Sequence, residues 1–355
     1  MRRRATGAPL TTAGERWAFL VTAVLVLAVV LLVRQALQAP PESPQCPDND
    51  CAEPFSFAVI GDYPYSEAQQ KEMPKVVDQI NADPDLAIIA HLGDIKSEGA
   101  CSTAYYRQIK AQFDRFADPL VYTFGDNEWT DCFRPSSGRG YNPLERLDTI
   151  RGIFVAKAGR TLGKSEPVTS QAKEGFPENV RYDRANVSFA TFHAVGPRNG
   201  LAPWPGQTGP TAAQAAEVRE RTAAANEHIR ATFDTAREKR NRAVVLMTQA
   251  DMFAPSFRVT ADARPYSTIV STIAEEAADF SGPVYLFNGD SHEYVSEQPL
   301  AKGSKWLTTY DVPAVENLTR ITIDGDRNHT NYLKVTIRPY FTKVLAYTRV
   351  PFIGQ

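Results

Sequence analysis

Four apolar runs in this chain end in Gly-Asp, at Gly61-Asp62, Gly93-Asp94, Gly125-Asp126 and Gly289-Asp290. Each run has the length of a buried strand, and helical stretches lie between them. Strands that alternate with helices predict a largely parallel sheet. Parallel strands deliver their carboxyl ends to one edge, where ligands bind. A fifth run, AVVLMTQ, brings Gln249 to that edge, with Asp251 just beyond. Glycine lets the backbone turn sharply, and the aspartate then directs an oxygen into the crevice. Carboxylates gathered at one edge repel one another and must be neutralised by protons, basic groups or cations. A divalent metal is the simplest remedy. The competing view, that these are ordinary turn and cap aspartates, suits any one pair better than all four together with His292.

Helical patterns fall near 67–82, 103–116 and 143–158, after the strands FSFAVIG, DLAIIAHLG and PLVYTFG. Residues 159–180 read as loop, and NVSFATFHAVG as a strand. A long amphipathic helix follows, with Thr208 or Thr211 at its start. YSTIVSTIAEEAADF reads as a helix and PVYLFNG as a strand. After residue 300, KWLTTYDV, LTRITID, NYLKVTIRP and TKVLAYTRV read as strands, so a mixed sheet is expected. The expectation is one α/β domain spanning 54–355.

The first 53 residues have another character. Residues 1–16 form a basic tail holding Arg2, Arg3, Arg4 and Arg16, and residues 17–36 hold an uncharged run from Trp17 to Val33. That run is near the short end of the ~17–25 residues of a spanning helix. The positive-inside rule puts the tail in the cytoplasm and the body outside, in the periplasm or at the cell surface. A cleaved signal peptide is the competing reading, although Pro40 and Pro41 suit cleavage poorly. Residues 37–53 are a Pro-rich linker. Cys46, Cys51, Cys101 and Cys132 allow three pairings; pairing near neighbours joins Cys46–Cys51 in the linker and Cys101–Cys132 in the body. No CxxC pair is present to suggest zinc. A formal charge of -2 over 355 residues gives no argument for nucleic acid.

With these residues assembled, the chain resembles the calcineurin-like metallophosphoesterase superfamily from about 55 to 295. Members carry D-x-H, GD, GNHE, a lone His and GHxH in that order. Here GDYPYS supplies Asp62, with Pro64 at the histidine position, and GDIKSEG supplies Asp94. GDNE places Asp126 for the metal-binding Asn, and Asn127 for the His that protonates the leaving group or holds phosphate. MTQAD places Gln249 at a ligand His, and GDSH replaces the first His by Asp290 while keeping His292.

The resemblance implies a four-layer sandwich of two mixed sheets flanked by helices, and two metal ions that activate water against a phosphomonoester or phosphodiester. One position would use Asp62, Asp94 and His292, and the other Asp94, Asp126, Gln249 and Asp290. Asp94 would bridge them, and Asn127 would hold the catalytic position. So many oxygen donors favour Mn, Mg or Fe over Zn. Tyr65 is a further candidate ligand. Lys96 and Arg134 are the candidate phosphate-binding groups, because four aspartates leave two divalent cations little net charge. For the general acid, Glu128, Asp251 and His193 are considered, while His91 reads as a core histidine. A Cys101–Cys132 disulfide would join two metal-bearing loops. The expected protein is a membrane-anchored, exported, metal-dependent phosphoesterase acting on a phosphorylated substrate. The alternative is a non-catalytic, metal-stabilised binding domain of the same fold.

Overall fold

Strands that are apolar along their whole length need cover on both faces, and this chain provides it with two sheets and two sets of helices. The computed structural model describes residues 52–97, 101–134, 140–257 and 260–354. The first units are β1 (Phe55–Ile60), α1 (Glu67–Asn81), β2 (Leu86–His91), α2 (Thr103–Phe113), β3 (Pro119–Tyr122) and α3 (Pro143–Phe154). The helices start where the sequence supplies caps. Ser66 and Gln69 form a capping box, Ser102 caps α2, and Asn142 caps α3 with Pro143 at its first position.

There follow β4 (Leu162–Gly163), β5 (Thr169–Gln171), β6 (Phe176–Arg184), β7 (Val187–Thr191), α4 (Ala212–Glu238), β8 (Ala243–Met247), α5 (Ser267–Asp279) and β9 (Val284–Asn288). The last are β10 (Val295–Glu297), α6 (Lys305–Tyr310), β11 (Leu318–Thr322), β12 (Asn331–Ile337) and β13 (Leu345–Pro351).

One sheet has the order β13-β12-β1-β2-β3-β4 and the other β10-β11-β9-β8-β7-β6-β5. β1, β2 and β3 are parallel, as are β7, β8, β9 and β11; the remaining pairings are antiparallel. Between the sheets lies a core containing Phe57, Val59, Ile88, Phe189, Val245, Phe287 and Val335. The outer face of the first sheet buries Ala58, Ile89 and Leu120 against Val77, Ile109 and Ile150 of its helices. The outer face of the second buries Ala190, Leu246 and Leu286 against Ile229, Phe233 and Ile273. Two mixed sheets flanked by helices are therefore observed, as expected.

Two local readings need correction and one is narrowed. Residues 159–180 are not all loop: they hold β4, β5 and the start of β6. KWLTTYDV contains a helix rather than a strand. Ser304 caps it, and the i, i+4 pair Trp306 and Tyr310 both pack on Phe253. The long helix begins with a capping box of Thr211 and Gln214, so Thr208 is not its cap. The basic tail, the anchor 17–36 and the Cys46–Cys51 pair lie outside the described residues. No helix of the described residues is long and apolar enough to cross a membrane.

His91, at the end of β2, is a core histidine as the sequence suggested. Its Nε2 lies 3.0 Å from the Tyr63 carbonyl, and its Nδ1 accepts from the Gly93 N–H at 3.3 Å. That pairing fixes a neutral ring, and burial lowers its pKa to about 4. An unfolded histidine binds its proton near pH 6.5, so between about 6.5 and 4 the unfolded chain holds the extra proton. Stability therefore falls as pH drops through that window, by up to about 3 kcal/mol from this residue. Urea midpoints at pH 7 and pH 5 should differ less in His91→Gln than in the unmodified protein.

Candidate metal centre

The carboxyl ends of β1, β2, β8 and β9 bring Asp62, Asp94, Gln249, Asp290 and His292 together with the β3 loop that carries Asp126 and Asn127. One oxygen each of Asp62 and Asp94 and one nitrogen of His292 lie within 4.8 Å of one another. Asp62 and Asp94 are buried, and the His292 side chain keeps 31% of its surface exposed. The Tyr65 hydroxyl stands among them, donating to Asp94 Oδ2 at 2.7 Å and lying 3.1 Å from His292 Nε2. Tyr65, a further candidate from the sequence, thus lies at this position.

Backbone geometry marks the same residues. Asp62, Asp94, Asp290 and His292 all have left-handed backbones, with φ of 48°, 56°, 69° and 59°. Non-glycine residues adopt this region at a cost of order 1 kcal/mol or more, and such strain collects at functional sites. The glycines serve a second purpose. A Cβ on Gly125 would collide with Asp94 Oδ1, one on Gly289 with the Asp62 carboxylate, and one on Gly196 with that of Asp290. Gly325, from the loop after β11, packs on Asp62 in the same way. Gly196 and Gly325 were not singled out in the sequence, where neither precedes one of the aspartates at the strand ends.

Glu128, considered in the sequence as a general acid, has a structural role that sequence reasoning missed. Fully buried, it accepts from the N–H groups of Gly125 at 2.6 Å, Asp94 at 3.2 Å and Ile95 at 3.4 Å, and from the Tyr122 hydroxyl at 2.7 Å. It ties the Asp94 loop to the Asp126 loop. The Cys101–Cys132 disulfide ties the same loops further out, as expected. These bonds consume Glu128 as an acid. Asp251 is consumed too, paired with buried Arg320 and accepting from Ser291 at 2.5 Å. His193 turns Nδ1 to Glu178 at 2.9 Å and is fully buried beside Phe124 and Trp129.

The two candidate phosphate groups are also engaged. Lys96 is buried, and its Nζ donates to the Asn127 carbonyl at 3.0 Å; burial pulls its pKa down. Arg134 pairs with Asp131 at 2.9 Å. Asn127 is half-buried, and its Nδ2 donates to the Tyr65 oxygen at 2.9 Å and to Asp94 Oδ2 at 3.1 Å. Gln249 is fully buried. Its Nε2 donates to Asp126 Oδ1 at 2.8 Å and Asp94 Oδ2 at 3.2 Å, while its Oε1 accepts from the Gly196 N–H at 2.8 Å.

Electrostatically, this edge favours a cation. Burial, then Asp126, Glu128 and Asp62, hold Asp94 well above the usual carboxylate range. Burial, then Asp131 and Asp290, do the same for Asp126. Asp290 is pushed up to about 7 by desolvation, with Asp62 and Asp251 adding to it. Burial, then Asp94, keep the Tyr65 phenol protonated in the metal-free chain. Burial lowers His292, but the Asp62 carboxylate outweighs that and raises it.

No protein-family model matches this chain, and no curated protein does. Among solved structures it is similar to "GAP50 the anchor in the inner membrane complex of Plasmodium", at 8% identity and a TM-score of 0.43, covering 86% of this chain and 90% of that one. It is also similar to TT1561 of Thermus thermophilus, at 9% identity and a TM-score of 0.41, covering 84% of this chain and 99% of that one. At such values the functional reading rests on the residues of this chain.

Glu128→Ala leaves three buried N–H groups and a buried hydroxyl without their acceptor, each costing about 1–3 kcal/mol. It should lower the melting temperature sharply. Gly125→Ala, whose Cβ would meet both the carboxylate and the backbone nitrogen of Asp94, should weaken cation binding at least tenfold by calorimetric titration.

Proposed function

We propose that this chain is a metal-dependent hydrolase of phosphate esters, exported and held at a membrane by residues 17–36. The observation that carries the reading is the convergence of Asp62, Asp94 and His292, mutually within 4.8 Å, around the Tyr65 hydroxyl. These atoms all bear lone pairs, and the set suits a divalent cation with a preference for oxygen. When bound, such an ion supplies Lewis acidity to a phosphoryl oxygen and lowers the pKa of water.

The chain's own residues do the rest. Asp62 and Asp94 bring the negative charge that holds the ion, fixed by N–H donation from Asp290 and Asn127 at 3.0 and 3.1 Å. The Asn127 side-chain amide, which donates to Tyr65 and Asp94, would orient a phosphoryl oxygen by exchanging one of those bonds for it. It cannot protonate a leaving group as an imidazolium could. Substrates whose leaving groups depart without a proton, such as aryl phosphates, therefore suit this centre best. The disulfide supports the exported location, since such bonds persist in oxidising compartments.

A specific observation favours the second reading, a metal-stabilised binding domain without turnover. Glu128, Asp251 and His193, the acids nearest the centre in sequence terms, are all committed to holding the fold.

The test pairs melting with turnover. Mn²⁺ should raise the melting temperature of the unmodified protein and not of Asp94→Asn. Hydrolysis of p-nitrophenyl phosphate or its bis ester should fall at least 100-fold in that variant. Stabilisation without turnover would decide for the binding domain, and neither effect would reject both readings.

A further inference from the structure

We infer that the centre holds a single cation, at Asp62, Asp94 and His292, and that the Gln249 amide takes by hydrogen bonding the place of a second. The inference rests on the metal-dependent reading above and concerns the number of ions that reading allows.

A second ion would draw on Asp94, Asp126, Gln249 and Asp290. Gln249 sits at the carboxyl end of β8 with no surface exposed, so its amide has no water to turn to. The Gly196 N–H claims Oε1 at 2.8 Å. That leaves the NH₂ group, which bridges Asp126 Oδ1 at 2.8 Å and Asp94 Oδ2 at 3.2 Å. An amide NH₂ has two hydrogens to give and no lone pair for a metal. Rotating the amide by half a turn would set its hydrogens against the Gly196 N–H. It would also set its oxygen against two carboxylates. The neighbours on both sides therefore select one orientation, and in that orientation Gln249 is a donor.

Asp290 is drawn the same way. Its Oδ2 accepts from the Asp251 N–H at 3.1 Å, and its own N–H goes to Asp62 at 3.0 Å. At the other position Asp62, Asp94 and His292 bring one ligand atom each within 4.8 Å of one another, and the partly exposed His292 leaves a path from solvent. Gln249 thus does with two hydrogen bonds what a bridging cation would do with charge: it links Asp94 to Asp126 across the edge.

The experiment is metal stoichiometry on the full-length protein. Mn²⁺ alone is the probe, with equilibrium dialysis, elemental analysis and low-temperature electron paramagnetic resonance as readouts. The unmodified protein should bind one Mn²⁺ per chain and give the six-line spectrum of an isolated ion. Gln249→His, which supplies a lone pair at that place, should bind two and show a spin-coupled spectrum. Two ions in the unmodified protein would overturn the inference and leave the hydrolase reading standing. No bound ion would overturn both. One ion in each of two folded proteins would refute the role given to Gln249. If Gln249→His fails to fold, Gln249→Glu replaces it, and the count in the unmodified protein decides the number of ions by itself.

Discussion

Asp62 and Asp94 are withdrawn from water at the ends of neighbouring parallel strands, close enough for both to face the Tyr65 hydroxyl. Two full charges ~4 Å apart at an effective dielectric of ~20 repel by ~4 kcal/mol, and the strands leave them nowhere to go. The surrounding structure is a set of answers to that repulsion. Glycines clear space so that each carboxylate can turn away from solvent. Backbone N–H groups of Asn127, Asp290 and Asp251 point at carboxylate oxygens. Amides from Asn127 and Gln249 reach across the gap, and burial, with the neighbouring carboxylates behind it, raises the carboxyl pKa values of Asp94 and Asp126.

Much of this was legible in the sequence, because the relevant chemistry is local. A strand ending in Gly-Asp needs only neighbouring residues to state where it turns and what it presents. The alternation of strand and helix placed those ends on one edge, and the structure joins Asp62, Asp94, Asp126, Gln249, Asp290, His292 and Tyr65 there. Residues with distant partners were not legible. Lys96 looked like an available charge, yet its ammonium group is taken by the Asn127 carbonyl, 31 positions away. The donor role of Gln249 depends on one N–H at Gly196, just past a different strand. KWLTTYDV misled through its β-branched threonines, whereas the spacing of Trp306 and Tyr310 that fixes the helix matters only once Phe253 is beneath them. The short edge strands at 159–180 carry no alternation because they contribute so little to either core.

The architecture divides labour between rigid and reactive parts. Glu128, the disulfide and the Asp251–Arg320 pair are buried or covalent, and each spends its chemistry on position. What remains near solvent is small: the exposed side of His292, the half-buried Asn127 amide and the Tyr65 hydroxyl. A cluster built this way has its side chains set in advance, so little ordering entropy is left to lose on binding.

The pairing of β1 with both β2 and β12 has a consequence for how the molecule is made. Ser56 hydrogen-bonds Thr336 across 280 positions, and Gly325 closes over Asp62. The strand that leads to Asp62 is therefore an unfinished edge until β12 and the loop before it are made. A chain made from its N-terminal end would present Asp62 and Asp94 early, still hydrated and still mutually repelling. Only the arrival of β12 and the loop before it would seal them. The order of synthesis thus separates making the first aspartate-bearing strands from closing the edge beside them, which waits for β12.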